Sequence, residues 1–264
     1  MEDIFYRIES YLTYLWEAKT KYQIHSPFLY NIVTEVFEKQ LNYQDFERIE
    51  QVRNQLLEDQ TIIEIEDFGA GSKKFTSNKR KISDIAKISL KKEKHAQLLF
   101  MLVRHFKANR ILELGTSLGI TTCYLASAHD NVQVISIEGC KATAEIAEKN
   151  FSKLRLKNIQ SIVDKFDNVL PTINQANGEK FDFIFIDGNH RESAVIDYFK
   201  TILNYCHNDT VIAIDDIHWS EEMEEAWQFI KNHEKVTVTI DIYEMGFAFI
   251  RKENIQKVHC VIQY

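Results

Sequence analysis

Two stretches of this chain bring together residue types able to hold a small ligand. The first is Arg110-Ile111-Leu112-Glu113-Leu114-Gly115-Thr116-Ser117-Leu118-Gly119-Ile120-Thr121-Thr122, an apolar run that ends in two glycines and leads into a helical pattern over 120–128. Strand, tight turn and helix in that order mark where an open α/β sheet binds a nucleotide-like ligand, at the carboxyl ends of its strands. A glycine at such a turn lets the backbone pass where a Cβ would collide with the ligand. The second stretch, 131–137, is apolar and β-branched and ends in Glu138, nineteen residues after Gly119. An acid at the tip of the next strand can accept two hydrogen bonds from vicinal ribose hydroxyls. The spacing Glu-x-Gly-x-x-x-Gly is not the Gly-x-Gly-x-x-Gly of dinucleotide sites, and it favours S-adenosylmethionine over a pyrophosphate cofactor.

Two later apolar runs end in polar clusters. FDFIFI (181–186) runs into Asp187-Gly188-Asn189-His190, and TVIAI (210–214) into Asp215-Asp216-Ile217-His218. With these four segments the chain resembles class I S-adenosylmethionine-dependent methyltransferases over roughly 94–252, about 60% of its length. ILELGTSLG looks like the family's first motif and VISIEG like the acidic end of its second strand. FDFIFIDGNH and TVIAIDDIHWS resemble the catechol-type O-methyltransferase branch in particular. The resemblance implies that Glu113 lies near the methionine amino group, often through water. It implies that Gly115, Ser117 and Gly119 shape the turn, and that Glu138, with Gly139 beside it, holds the ribose. Lys165 and Phe166 fall where the family contacts adenine, with Phe166 either on the ring or in the core.

The same resemblance makes the strands before Asp187 and Asp215 neighbours, about 4.8 Å apart. Asp187, Asp215 and Asp216 then crowd one rim of the sheet, where uncompensated carboxylates raise each other's pKa. A cation resolves the conflict, and Mg²⁺ or another divalent ion suits carboxylates, waters and a substrate oxygen. The branch binds its metal with acids at these positions but has Asn at the last, so Asp216 is a departure. It also carries lysine where this chain has His190. Histidine there fits general-base work, its ordinary pKa lying near neutrality. The expected reaction is direct displacement on a small hydroxylated acceptor. In it His190 takes the proton, Asp187 serves both cofactor and acceptor, and His218 and Trp219 line the acceptor pocket, with Trp219 as a cover for the sheet edge the alternative. Asp187 positioning substrate without metal, and His190 as a plain loop residue, are the alternatives.

Bulk properties bound the answer. The chain has 264 residues, 45% hydrophobic and 12% aromatic, enough for a large core. Its apolar stretches are strand-length, so no membrane span is expected. The N-terminus lacks the layout of a secretory signal. Cys123, Cys140, Cys206 and Cys260 form no C-x-x-C pair, as in a reduced cytoplasmic protein. A net charge of −7 argues against general nucleic-acid affinity. Lys73 to Lys94 nevertheless holds nine Lys/Arg against Asp84 and Glu93. That segment keeps open a nucleic-acid or protein methyltransferase. Against that stands DGNH at the fourth strand end, in place of the Asn/Asp-Pro-Pro-aromatic of amino-directed enzymes. A non-catalytic ligand-binding relative is the other alternative.

The elements that must position these groups fall into two parts. Residues 1–94 read as a helical appendage with a basic loop. The helices are expected at 3–19, where Phe5, Ile8, Leu12 and Leu15 keep three–four spacing, at 28–39 after Ser26-Pro27, and at 43–58. Their apolar faces need cover from the core or from a second subunit, a homodimer. His25 is a candidate with a structural or solvated alternative. Asp67–Ser72 mimics a cofactor turn, but the polar KKFTSNKRK that follows reads as a loop able to fold over the site, with Phe75 near the ligand. Residues 95–264 alternate helix and strand, with one helix near 167–175, which implies a mostly parallel sheet covered on both faces. The short link between 236–243 and 246–251 allows only an antiparallel hairpin. The expectation is a Rossmann-like, seven-stranded α/β sheet closed by that hairpin.

Overall fold

The computed structural model describes residues 2–39, 46–66, 77–173 and 178–264. The main sheet is mixed, mostly parallel and eight-stranded, one strand more than expected. The chain divides into two compact units, Lys39–Val169 and Met1–Glu38 with Leu170–Tyr264.

In the first unit, β3 (Arg110–Leu114), β4 (Gln133–Glu138) and β5 (Ile159–Val163) pair in parallel. They alternate with α5 (Glu93–Phe106), α6 (Ile120–Ala126) and α7 (Lys141–Leu154). Ile111, Leu112 and Leu114 are fully buried, as expected for parallel strands covered on both faces. The preceding α3 (Glu47–Glu58) is covered within this unit: Phe46 packs 4.9 Å from both Phe100 and Tyr124. A buried polar link locks it there, because Tyr124 Oη donates to Glu50 at 2.7 Å and Arg53 Nε donates to the same carboxylate at 2.9 Å. The run at 62–65 is no part of the main sheet. Its β1 (Ile62–Glu64) pairs antiparallel with β2 (Lys79–Lys81), and α4 (Ile82–Ser89) follows where the sequence suggested no separate helix. The decoy turn 67–72 and Phe75 lie outside the described residues.

In the second unit, β6 (Phe181–Ile186) and β7 (Cys206–Asp215) are parallel. Beyond them, β9 (Met245–Phe249) and β8 (Val238–Asp241) run antiparallel to each other, giving the expected hairpin. The extra strand is β10 (Val258–Val261), parallel to β8 at the edge. β7 starts four residues earlier than its apolar run, because side chains extend the pairing: His207 Nε2 meets Asp182 at 2.8 Å and Thr210 Oγ1 donates to the Phe181 carbonyl at 2.6 Å. Helices α9 (Glu192–Ile202) and α10 (Glu221–Asn232) pack together on this half. The helix expected near 167–175 is described only as α8 (Phe166–Val169), at the end of the first unit; Pro171 blocks its continuation and 174–175 lie outside the described residues.

The N-terminal helices of this unit behave differently from one another. Ser26 caps α2 (Pro27–Ile32) with Pro27 at its first position, as expected, and the helix continues as a π-turn over Val33–Phe37. Phe28 and Phe37 pack on Phe249 and Phe247 of β9. α1 (Glu2–Glu17) is tied down through Tyr6 and Tyr14, whose hydroxyls donate to the Ser220 and Ile262 carbonyls. Its other face leaves Phe5, Ile8, Leu12, Leu15 and Trp16 exposed. Among the described residues no helix is long and apolar enough to cross a membrane.

Candidate active site

In the Lys39–Val169 unit the glycine turn and the two strand-end acids form one hydrogen-bonded assembly. Gly115 (φ +105°) and Ser117 (φ +48°) both adopt left-handed backbone, so the chain doubles back sharply after β3. Glu138, at the tip of β4, accepts the Ser117 N–H at 2.7 Å through one oxygen and the Cys140 N–H at 2.9 Å through the other. The acid thus ties the turn to the start of α7. Burial raises the Glu138 pKa, opposed by hydrogen bonds from Cys140, Ser117, Thr143 and Gly139. Gly119 (φ +79°) has a packing reason besides any ligand: a Cβ there would sit 2.6 Å from the Phe151 ring and 2.8 Å from Ala147.

Glu113 is wholly buried, with one oxygen accepting from Thr122 Oγ1 at 2.5 Å and Ser136 Oγ at 2.6 Å. Because Ser136 spends its proton on Glu113, Thr116 must be the donor in its 2.5 Å contact with Ser136. The other oxygen of Glu113, Oε1, is buried and meets no donor of the described residues. Burial pushes the Glu113 pKa up to about 7, against the pull of Ser136 and Thr122 and with a small push from the charge of Glu138. Thr116, Thr122 and Ser136 were not singled out in the sequence. The one available signal was a serine inside the apolar run of β4. After β5, Asp164 accepts from the Lys165 N–H and from Asn168, which opens α8, and Phe166 at its start is only half-buried rather than core.

A second assembly belongs to the other unit. Asp187 directly follows β6 and Asp215 ends β7, and those strands are parallel neighbours, as the resemblance implied. Asp187, His190 and Asp215 each offer a ligand atom within 4.8 Å of the others. His190 Nε2 lies 3.9 Å from Asp187 and 4.0 Å from Asp216. The structure therefore groups His190 with the two strand-end acids and leaves the more exposed Asp216, with φ +55°, at the margin. Asn189 (φ +61°) turns the loop between Asp187 and His190, and its amide donates to Tyr198 Oη at 2.8 Å. The Trp219 ring lies 6.1 Å from that of His190. Two carboxylates and an imidazole on these elements are a donor set that fits a divalent metal.

His218, expected to line the acceptor pocket, is held in a part-buried clamp. Its Nε2 meets Asp241 at 2.8 Å, its Nδ1 meets Glu224, and its ring stacks on Tyr243. Asp241 also accepts from Trp227 Nε1 at 3.0 Å and from the Tyr243 N–H at 2.9 Å. Burial disfavours the imidazolium, but the hydrogen bonds and charges of Asp241 and Glu224 outweigh it and raise the His218 pKa to about 9. A histidine held charged at neutral pH cannot serve as a base. His25 is exposed beside the cap of α2.

A parallel sheet with acids and a glycine turn at its strand ends, closed by an antiparallel hairpin, defines a Rossmann-like methyltransferase fold. Residues 112–217 match the model of the methyltransferase domain family. Sequence relatives include a catechol O-methyltransferase of Niastella koreensis, 30% identical over 123 residues, which are 46% of this chain and 55% of that protein. Another from Mycobacterium tuberculosis is 27% identical over 123 residues, 46% of this chain and 54% of that protein. The chain spans about half the length of these relatives. In structure it is similar to an O-methyltransferase from Bacillus cereus in complex with SAH, with TM-score 0.59 and 18% identity, covering 84% of this chain and 96% of that one. An O-methyltransferase from Streptomyces achromogenes in complex with SAM gives TM-score 0.55 and 19% identity over 62% of this chain and 82% of that one.

Proposed function

We propose that this protein methylates a hydroxyl of a small acceptor, with S-adenosylmethionine as donor. The observation that carries the reading is the grouping of Asp187, His190 and Asp215 at the ends of adjacent parallel strands. When bound, S-adenosylmethionine supplies a methyl group made electrophilic by its sulfonium. Glu138 accepts from the ribose hydroxyls with the lone pairs its backbone donors leave unused. Gly115, Ser117, Gly119 and Gly139 form the cradle, Phe166 packs on the adenine beside Lys165, and Glu113 offers Oε1 toward the methionine end. Asp187 serves both cofactor and acceptor.

His190 Nε2 removes the acceptor proton, and the carboxylates of Asp187 and Asp216, 3.9 and 4.0 Å away, stabilise its positive charge. Displacement then needs the oxygen in line with the departing sulfur, and alignment supplies much of the acceleration. A divalent metal held by Asp187, Asp215 and the neighbouring Asp216 would add acidity to a bound hydroxyl. In this reading residues 95–264 carry the chemistry and residues 1–94 shape the acceptor pocket. The free cysteines fit a reduced cytoplasmic setting. The exposed stripe of α1 fits a homodimer, which light scattering would show and Leu12→Asp would dissociate. The activity test is mass spectrometry of reactions with S-adenosylmethionine and a panel of hydroxylated aromatics led by catechol. A product about 14 Da heavier, lost in His190→Gln with cofactor affinity intact, supports the reading. Methylation that survives in His190→Gln refutes its base.

A further inference from the structure

Building on the methyltransferase reading, we propose that Asp187, His190 and Asp215 form a site for a first-row transition-metal dication of the zinc type, whose occupancy withdraws His190 from base duty. The departure from the resembling branch carries the argument. Where that branch has lysine, this chain has an imidazole, and the structure places its nitrogen among the strand-end carboxylates.

The geometry is close to what such an ion needs. Bonds of roughly 2.0–2.2 Å in a tetrahedron put neighbouring ligand atoms about 3.3–3.6 Å apart. His190 Nε2 and Asp187 Oδ1 are 3.9 Å apart, so they must close by about half an ångström, within the reach of side-chain rotation. The backbone beneath them is fixed: β6 and β7 are in parallel register, and Asn189 pins the intervening loop to Tyr198. A further carboxylate, Asp216, stands 4.0 Å from the same nitrogen and adds negative charge where the branch has neutral Asn.

Donor chemistry then selects the ion. Mg²⁺ takes oxygen ligands in near-octahedral array, whereas imidazole with carboxylates suits zinc, iron, nickel and copper, and their affinities exceed those of smaller hard ions at a nitrogen donor. An imidazole nitrogen has one lone pair, so Nε2 either binds the ion or accepts the acceptor's proton. Base catalysis by His190 therefore belongs to the metal-free protein, and zinc-type ions compete with it.

Cobalt(II) titrated into metal-free, tag-free protein tests this through its visible absorption. The expected result is a saturable band that equimolar Zn²⁺ abolishes and about 100-fold excess Mg²⁺ does not. In His190→Ala the cobalt affinity should fall by about tenfold or more. No saturable band, displacement by Mg²⁺ as readily as by Zn²⁺, or an unchanged cobalt affinity in His190→Ala would each overturn the proposal. S-adenosylhomocysteine affinity, measured on the same preparations, separates the two readings. If it is absent, the methyltransferase reading fails, whatever cobalt does.

Discussion

The part-buried clamp around His218 makes stability depend on pH in a defined window. His218 has an ordinary pKa of 6.5 and about 9 in the folded protein. The imidazolium is therefore favoured by folding, and its contribution is complete below pH 6.5 and lost as pH rises toward 9. A shift of about 2.5 units at 1.36 kcal/mol each gives about 3 kcal/mol, and the side chain is only 11% exposed, so solvent screening takes little of it. That is a large share of the 5–15 kcal/mol typical of a domain's net stability. Urea unfolding at pH 6.0, 7.5 and 9.0 should show wild-type stability falling with pH, while His218→Gln starts about 3 kcal/mol lower at pH 6.0 and lacks that slope. A slope of equal size in His218→Gln would show that the clamp is not its source.

Two other outcomes follow from the first unit. Gly119→Ala forces a Cβ to 2.6 Å from Phe151 at φ +79°, so thermal unfolding should register a loss of about 2–4 kcal/mol. For Glu113, folding favours the neutral acid, so its burden appears as pH rises from about 4.5 to about 7. Glu113→Gln should flatten the stability profile across that acidic window in calorimetric scans, leaving the alkaline fall due to His218.

What could be read from the sequence was local. The β3 turn, its glycines and Glu138 lie within one strand–turn–helix–strand unit, so spacing alone located them. The neighbouring strands ending in Asp187 and Asp215 came from the resemblance, and the structure bears their adjacency out. The clamp on His218 has no local signal, because its partners are six and twenty-three residues away on α10 and β8. β10 was missed since four residues at an edge, joined to β8 only by tertiary pairing, carry no periodic signal. A glycine at 119 suggests room for a ligand, while its nearest neighbour is the Phe151 ring of α7. Pro171, by contrast, was a legible stop that the expected helix at 167–175 ignored.

Calorimetric titration with S-adenosylhomocysteine tests the central claim most directly, since every proposed step needs the Glu138 cradle. The account predicts micromolar, one-to-one binding that Glu138→Ala weakens by about tenfold or more, the cost of losing charge-assisted hydrogen bonds to the ribose. Absence of binding by the folded wild-type protein, or equal binding by Glu138→Ala, would contradict it.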